Sequence, residues 1–353
     1  MKIIRKDLKH GFAKVRIQNL DDLWYLSHIV EPGDLVSGTT VRKIKSGGEE
    51  DRAVKTHTRK MYLKISAEKV EFHKYSDTLR VSGKIVDGPD DVSRGTYHTF
   101  SLEPTVEIGI EKERWLKYQV DKLAESAKNK GLRVLLCLFE REHAIFAELK
   151  SYGYEMLSEI KGKVQKKDSP EKVKSAFFSD IVEALKEYDS KGGYSSIVLA
   201  SPAFWKEYLM QKIEDEGLKK KLIAASCNSV NIDGINEVLR RPEVLTALKE
   251  DRVVREISAV EEVLARIGKK GPVSYGVKQT EQAASAGAVE HLVVTDSLMQ
   301  RFREEGSYEA IDRLMKKVDD MKGEITIVSS EHIGGQKLDG IGGIAALLRY
   351  DMG

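Results

Sequence analysis

The apolar residues of this 353-residue chain change their period near residue 110. Before that point, residues 12–18, 61–75, 78–86 and 97–110 alternate apolar with polar and are rich in β-branched and aromatic side chains, which is the pattern of half-buried strands. Turn signals stand between them at Gly88-Pro89 and Ser93-Arg94-Gly95. After it, in residues 111–131, apolar side chains return every third or fourth position up to Gly131, as on one face of a helix. No single sheet accommodates both periods, and the length suits two or three cores.

One helix interrupts the β-rich part early, in residues 19–30, with Leu20, Leu23, Trp24, Leu26 and Ile29 on one face. A helix followed by about five short, strongly bent strands predicts a small barrel of the Sm type, assigned to residues 1–127. The next stretch alternates strand with helix. Residues 132–139, 195–201 and 222–226 are apolar runs of buried-strand length. Residues 169–188 form an amphipathic helix: Ser169 is the N-cap, Pro170 occupies the first position, and Val173, Phe177, Ile181, Leu185 and Tyr188 make the stripe. Helix from Pro242 to Ile267 closes this central α/β domain, 128–268. Beyond the Gly-Lys-Lys-Gly-Pro boundary at 268–272, helices over 274–287 and 310–321 and strands over 289–296, 324–330 and 344–350 predict an α/β/α sandwich, 269–353. The fold class is therefore multi-domain: a β-rich Sm-like barrel domain followed by two α/β domains.

Charge narrows the function. Lys plus Arg number 58 and Asp plus Glu 56, so any nucleic-acid contact must come from a local patch rather than a global field. The two cysteines, Cys137 and Cys227, read as small buried hydrophobes; without a Cys-x-x-Cys pair a structural zinc site is not expected. No apolar run has the length of a signal peptide or a membrane span, which sets a cytoplasmic expectation. There is no Gly-x-x-x-x-Gly-Lys-Ser/Thr loop, so nucleotide chemistry would have to come from a partner.

Four segments carry candidate chemistry. Residues 41–63 hold Arg42, Lys43, Lys45, Arg52, Lys55, Arg59 and Lys60 with Thr56, His57 and Thr58, and read either as a loop contacting RNA phosphates or as a solvated hairpin. Residues 161–172 form a second basic loop, with Lys161, Lys163, Lys166 and Lys167, open to the same two readings. Pro202-Ala203-Phe204 follows a strand and opens a helix, so Phe204 beside Trp205 is either a docking residue or plain core. Asp87, Asp90 and Asp91 with His57, His73 and His98 are the carboxylates and imidazoles a metal nuclease would need, although Asp-Gly-Pro-Asp-Asp reads better as a turn and the histidines lack ligand spacing.

The tripeptide Gly334-Gly335-Gln336 is the hydrolytic tip in one class of translation factors, but its flanks here are turn residues joining core elements, and a tight connection is expected. Residues 275–299 and 332–350 resemble the last domain of the Pelota family, the ribosome-rescue paralogues of the archaeal and eukaryotic class-I release factors. His332, Gly334, Leu338, Gly342, Gly343, Ile344, Ala345, Ala346, Leu348, Arg349 and Tyr350 match that pattern, in which Gln336 is incidental. Residues 1–44 are similar to the Pelota opening and unlike a helical stop-codon domain. Lys43-Ile44-Lys45-Ser46 looks like the release-factor stop-codon tetrapeptide but lies in a β context without a Tyr-x-Cys partner.

The resemblance implies more. Release factors carry their Gly-Gly-Gln loop before the first long helix of the central domain; residues 161–172 replace it here without Gly-Gly, so peptide hydrolysis is not expected. The barrel surface would enter the ribosomal A site and mRNA channel. Pro202-Ala203-Phe204 stands where the family carries Pro-Gly-Phe, a dock for an elongation-factor-type translational GTPase, and the alanine departs from that pattern. An ABC-type recycling ATPase would then split the subunits. The factor would be monomeric and need no cofactor. The alternative is a divalent-metal-dependent endoribonuclease in the barrel domain. A third reading is an RNA-binding module, since the last domain resembles the kink-turn-binding ribosomal-protein fold.

Overall fold

A computed structural model describes residues 1–46, 55–73, 78–128, 133–150, 153–162, 170–249 and 251–352; the side chains of 43–46, 55–57, 73, 128 and 170–175 also fall outside the description. The chain forms two compact units, Met1–Asn129 and Lys130–Gly353.

In the first unit, strands β1 (Lys2–Asp7) and β2 (Phe12–Arg16) precede helix α1 (Leu20–Ile29). After the helix come β3 (Leu35–Ser46), β4 (Lys55–His73), β5 (Thr78–Asp87), β6 (Tyr97–Leu102) and β7 (Glu107–Glu111), then α2 (Lys117–Lys128). The five strands after α1 pair antiparallel in the order β7-β3-β4-β5-β6, and β1 and β2 continue the sheet beyond β7. This is the expected helix followed by five strands; β2 is the strand expected over 12–18, and β1 adds one more at that edge. Bending has a local cause. Register shifts near Ala67 bulge β4, and opposite it Gly83 lets the strands approach: a Cβ there would sit 1.8 Å from the Ser66 carbonyl oxygen. Asn19 and Asp22 cap α1 reciprocally, and Asp22 also binds the Met1 ammonium at 2.5 Å. The helix buries Leu23, Trp24, Leu26 and Ile29 and packs on β4 and β5, whose Leu63, Ile65 and Val81 are buried.

Beneath this core lies a charged cluster. Lys112 bridges Glu31 at 3.0 Å and Asp34 at 2.5 Å, and Tyr118 and Gln119 donate to Glu31. Burial pushes the Asp34 carboxyl up to about 6, against the pull of Lys112 and with help from Glu31. The folded value lies above the ordinary 3.8, so this group's contribution is full below about pH 4 and is lost as pH rises through 6. Full-length protein should therefore lose roughly 3 kcal/mol from this unit between pH 4 and pH 7. Asp34→Asn should flatten the loss, as read by amide exchange of β3 and β7 across that range. An unchanged pH profile in the variant would contradict the assignment.

The second unit holds two sheets. In the first, β8 (Val134–Phe139), β9 (His143–Lys150) and β10 (Gly153–Lys161) form an antiparallel meander, and β11 (Ser196–Ser201) and β12 (Leu222–Ser226) extend it in parallel from β8, giving the order β10-β9-β8-β11-β12. Helices α3 (Pro170–Gly192), α4 (Trp205–Lys212) and α5 (Glu216–Lys219) cover one face through Phe178, Ile181, Leu185, Leu209 and Leu218. Helices α6 (Ile232–Val238), α7 (Pro242–Ala247) and α8 (Arg252–Gly268) cover the other through Ile235, Val244, Val253 and Ile257. Burial on both faces is why β8 and β11 read as unbroken apolar runs. The expected single helix over 242–267 is two helices, since Asp251 caps a fresh start at α8.

The second sheet runs β13-β16-β14-β15 from β13 (Val273–Tyr275), β14 (Val289–Thr295), β15 (Glu324–Val328) and β16 (Ile344–Leu348). Helices α9 (Val277–Ser285), α10 (Asp296–Glu304) and α11 (Tyr308–Asp320) pack on one face. Helix α8, through Val260 and Val263, and α12 (Ile333–Asp339), through Leu338, pack on the other, completing an α/β/α sandwich. Helix α8 thus serves both cores of the unit.

Candidate interaction surfaces

The basic segment of the barrel is mostly strand rather than loop. Arg42, Lys43 and Lys45 lie in β3, and Lys55, Thr56, His57, Arg59 and Lys60 in β4; only residues 47–54, with Arg52, are outside the described residues. Register sets Arg42 directly opposite Arg59, and Val41 opposite Lys60. Two arginines face to face repel unless each has a partner. Arg59 Nη1 meets Asp91 at 2.7 Å, and Arg42 Nη2 donates to Thr96 Oγ1 at 3.3 Å. The turn after β5 therefore braces both guanidinium groups, while Arg59 and Lys60 stay exposed.

The acids of that turn are committed elsewhere. Asp91 faces Arg59, and Asp87 faces Arg94 at 3.7 Å and accepts the Gly88 N–H. His98 lies half-buried against Thr40 Oγ1 at 3.2 Å, and burial and the Arg42 charge hold its imidazole below the ordinary range. The described residues gather no three carboxylate, imidazole or thiol groups around one point, so they do not fit a divalent ion. The His57 and His73 side chains fall outside the described residues.

Lys161 ends β10, exposed and paired with Glu159 at 3.0 Å; Lys163, Lys166, Lys167 and the Ser169 cap lie outside the described residues.

At Pro202-Ala203-Phe204 the structure excludes the core reading. Phe204 is 81% exposed. Ala203 holds φ +48°, the left-handed region that favours glycine, and so turns the chain to project Phe204 from the C-terminal end of β11. The turn is braced: Lys206 N–H donates to Ser201 Oγ at 2.8 Å, and Lys206 Nζ reaches the Ala203 carbonyl at 3.4 Å and Ser226 Oγ at 3.0 Å. Trp205 and Tyr208 pack on Phe178, and Tyr208 is 40% exposed. The family pattern flagged this site; the exposure itself had no signature in the sequence.

Gly334-Gly335-Gln336 is the first turn of α12, not the expected tight connection. Both glycines are buried, and a Cβ on Gly335 would sit 2.1 Å from the Ser329 carbonyl oxygen. The buried His332 Nδ1 accepts the Gly334 N–H at 3.1 Å and the Gly335 N–H at 3.4 Å. That places the ring proton on Nε2, which donates to Glu256 at 2.9 Å. Sequence reasoning did not see Glu256 in this role.

Comparison with known proteins agrees with this architecture. Residues 1–127 match the Pelota N-terminal domain and residues 253–352 match eRF1 domain 3. The "Protein pelota homolog" of Thermococcus kodakarensis is 36% identical over 360 residues, and that of Pyrococcus horikoshii 34% identical over 361, each alignment covering 99% of both chains. The chain belongs to the Pelota family. The crystal structure of the Thermoplasma acidophilum Pelota protein covers all of both chains at 26% identity with a TM-score of 0.70. Saccharomyces cerevisiae Dom34, described as a translation termination-like factor involved in RNA quality control pathways and interacting with Hbs1, covers 100% of this chain and 99% of its own at 25% identity and a TM-score of 0.51. No helix among the described residues is long and apolar enough to cross a membrane.

Proposed function

We propose that this chain is a ribosome-rescue factor. It recognises stalled ribosomes in the A site together with an elongation-factor-type translational GTPase, and promotes subunit dissociation, as in no-go decay, without hydrolysing the peptidyl-tRNA ester. Family membership supports the rescue role, and Dom34's interaction with Hbs1 supports a protein partner. The observation that carries the absence of hydrolysis is the environment of Gly334-Gly335-Gln336. Its glycines are buried at the start of a capped helix, with no freedom to enter a ribosomal active site. The central-domain segment where the family's paralogues keep their catalytic loop, residues 161–172, has no Gly-Gly.

In this reading the arms of β3 and β4 present Arg42, Lys43, Lys45, Lys55, Arg59 and Lys60 to RNA phosphates, with Lys161, Lys163, Lys166 and Lys167 as a second contact. Phe204 is the GTPase contact, and an ABC-type ATPase acts afterwards. The site of action is the cytoplasm. The nuclease alternative finds little support in the described residues: Asp91 and Asp87 pair with arginines, and Asp90 gathers with no second and third ligand.

The test is reconstituted rescue on stalled ribosomes with the GTPase and the ATPase present, following subunit splitting and the peptidyl-tRNA ester together. Splitting with an intact ester, unaltered by Gln336→Ala, is the expected result. Ester cleavage that disappears with Gln336→Ala would overturn it.

A further inference from the structure

The solvated face of the barrel sheet carries aromatic rings where a solvated face ordinarily carries polar groups. Tyr62 on β4 is 55% exposed and Tyr97 on β6 is 61% exposed. Register puts both on one face: Tyr62 lies opposite Thr39, Ser66 opposite Lys84, and Lys84 opposite Tyr97. The inward positions between them, Met61, Leu63, Ile65, Val81, Ile85 and Phe100, are buried, so neither tyrosine belongs to the core. From strand spacing and rise the two rings stand on the order of 15 Å apart, a span that a few extended nucleotides cover.

Charge on this face selects an occupant. Lys60 is exposed two residues from Tyr62 on the same face, and Lys84 Nζ lies 5.7 Å from the Tyr97 ring centroid. Acids also stand on these strands: Glu111 meets Lys64 at 2.8 Å, Glu68 meets Lys84 at 3.5 Å, Glu71 meets Lys69 at 2.7 Å, and Asp87 lies opposite Lys64 in register. Lys60 thus stays exposed beside Tyr62 and Lys84 beside Tyr97, while Arg42 and Arg59 stand on the opposite face of the hairpin. Lys64 and Ser66 lie between the rings along β4, and just beyond Tyr97 the hydroxyls of Ser82 and Thr99 bond each other at 2.8 Å. Exposed rings spaced across a polar sheet and interleaved with lysines match the chemistry of unpaired nucleobases: each base stacks on a ring while the cations meet its phosphates.

We propose that this face is a stacking platform for single-stranded RNA, with Tyr62 and Tyr97 each taking one unpaired base and Lys60 and Lys84 the phosphates beside them. The platform rests on the RNA-contact reading of the barrel domain and extends it from phosphate contact to the recognition of unstacked bases. It would prefer a single strand to a duplex, whose bases are already stacked.

The test uses full-length protein and fluorescence anisotropy with labelled twelve-nucleotide single-stranded RNAs, with a duplex of the same length as comparison. Tyr62→Thr and Tyr97→Thr keep a β-forming residue and remove the ring. Each should weaken single-strand binding about ten-fold without altering the slope of affinity against salt, whereas Tyr→Phe at either site should bind as wild type. Lys60→Ala should reduce that slope. Threonine variants that bind as wild type, while combined alanine replacement of Arg42 and Arg59 weakens binding, would overturn the platform and leave the RNA reading standing. No RNA binding by the wild type would remove both. Threonine variants that bind free RNA normally but ribosomes poorly would assign the face to a protein and overturn the platform.

Discussion

Glu256→Ala is expected to cost the second unit about 3–5 kcal/mol. Glu256 is 2% exposed and holds three partners. Its Oε2 accepts from His332 Nε2 and from the Ser329 N–H, each at 2.9 Å, and its Oε1 is paired with the buried Arg252. Removing the carboxylate strands a guanidinium, an imidazole N–H and a peptide N–H in a low-dielectric interior. A buried polar group left without its partner costs more than the bond itself contributed.

The damage should spread in two directions. His332 orients the cap of α12, so loosening its ring loosens the Gly334 and Gly335 amides. Glu256 also sits in the second turn of α8, next to Ile257 in the core of the five-stranded sheet and one turn before Val260 in that of the four-stranded sheet. Glu256→Gln keeps an acceptor for His332 and Ser329 while losing the charge facing Arg252, and should fall between wild type and alanine. Urea unfolding with amide exchange at Ser329, Gly334 and Gly335 measures both effects. Full protection of these amides in the alanine variant would show that the cluster does not hold α12.

The same stretch shows where sequence reading succeeds and fails. Strands β8 and β11 were legible because burial on both faces leaves nothing but apolar residues, and α3 because its stripe stays regular through Phe177, Ile181 and Leu185. Helix α12 was not. Five glycines between residues 334 and 343 read as turn, and locally that is right: Gly342 and Gly343 have φ of +109° and +76°. The helical turn at Gly334 exists because His332 caps it, and the ring that does so is oriented from far along the chain by Glu256. Edge strand β10 was missed for the opposite reason, since its Glu155 and Met156 are exposed and blur the alternation. The basic segment read as a loop because charge on an extended hairpin hides its period of two. Phe204 lay in an apolar context that fits core and dock equally; its exposure removes it from the core.

Phe204→Ala should separate function from folding. A side chain 81% exposed contributes little to the fold, so the variant should melt within about 0.5 kcal/mol of wild type. Its affinity for the translational GTPase should fall by roughly 30- to 1,000-fold, because an aromatic anchor seated in a partner's pocket carries about 2–4 kcal/mol. The neighbouring residue supplies the control. Ala203 holds a left-handed conformation that costs a residue with a Cβ about 1 kcal/mol, a strain glycine would not bear. Ala203→Gly should therefore raise stability by about that amount while keeping the turn that projects Phe204. The strain is tolerated because Lys206 ties the Ala203 carbonyl to Ser226, which fixes the ring in the projecting position before a partner arrives. Lys206→Met would release that tie and should weaken GTPase binding less than the loss of the ring itself, since pre-organisation changes only the cost of ordering the turn. Calorimetric titration of the three variants with the GTPase, beside their thermal melts, settles the assignment. Wild-type affinity in Phe204→Ala would return this ring to the ordinary surface.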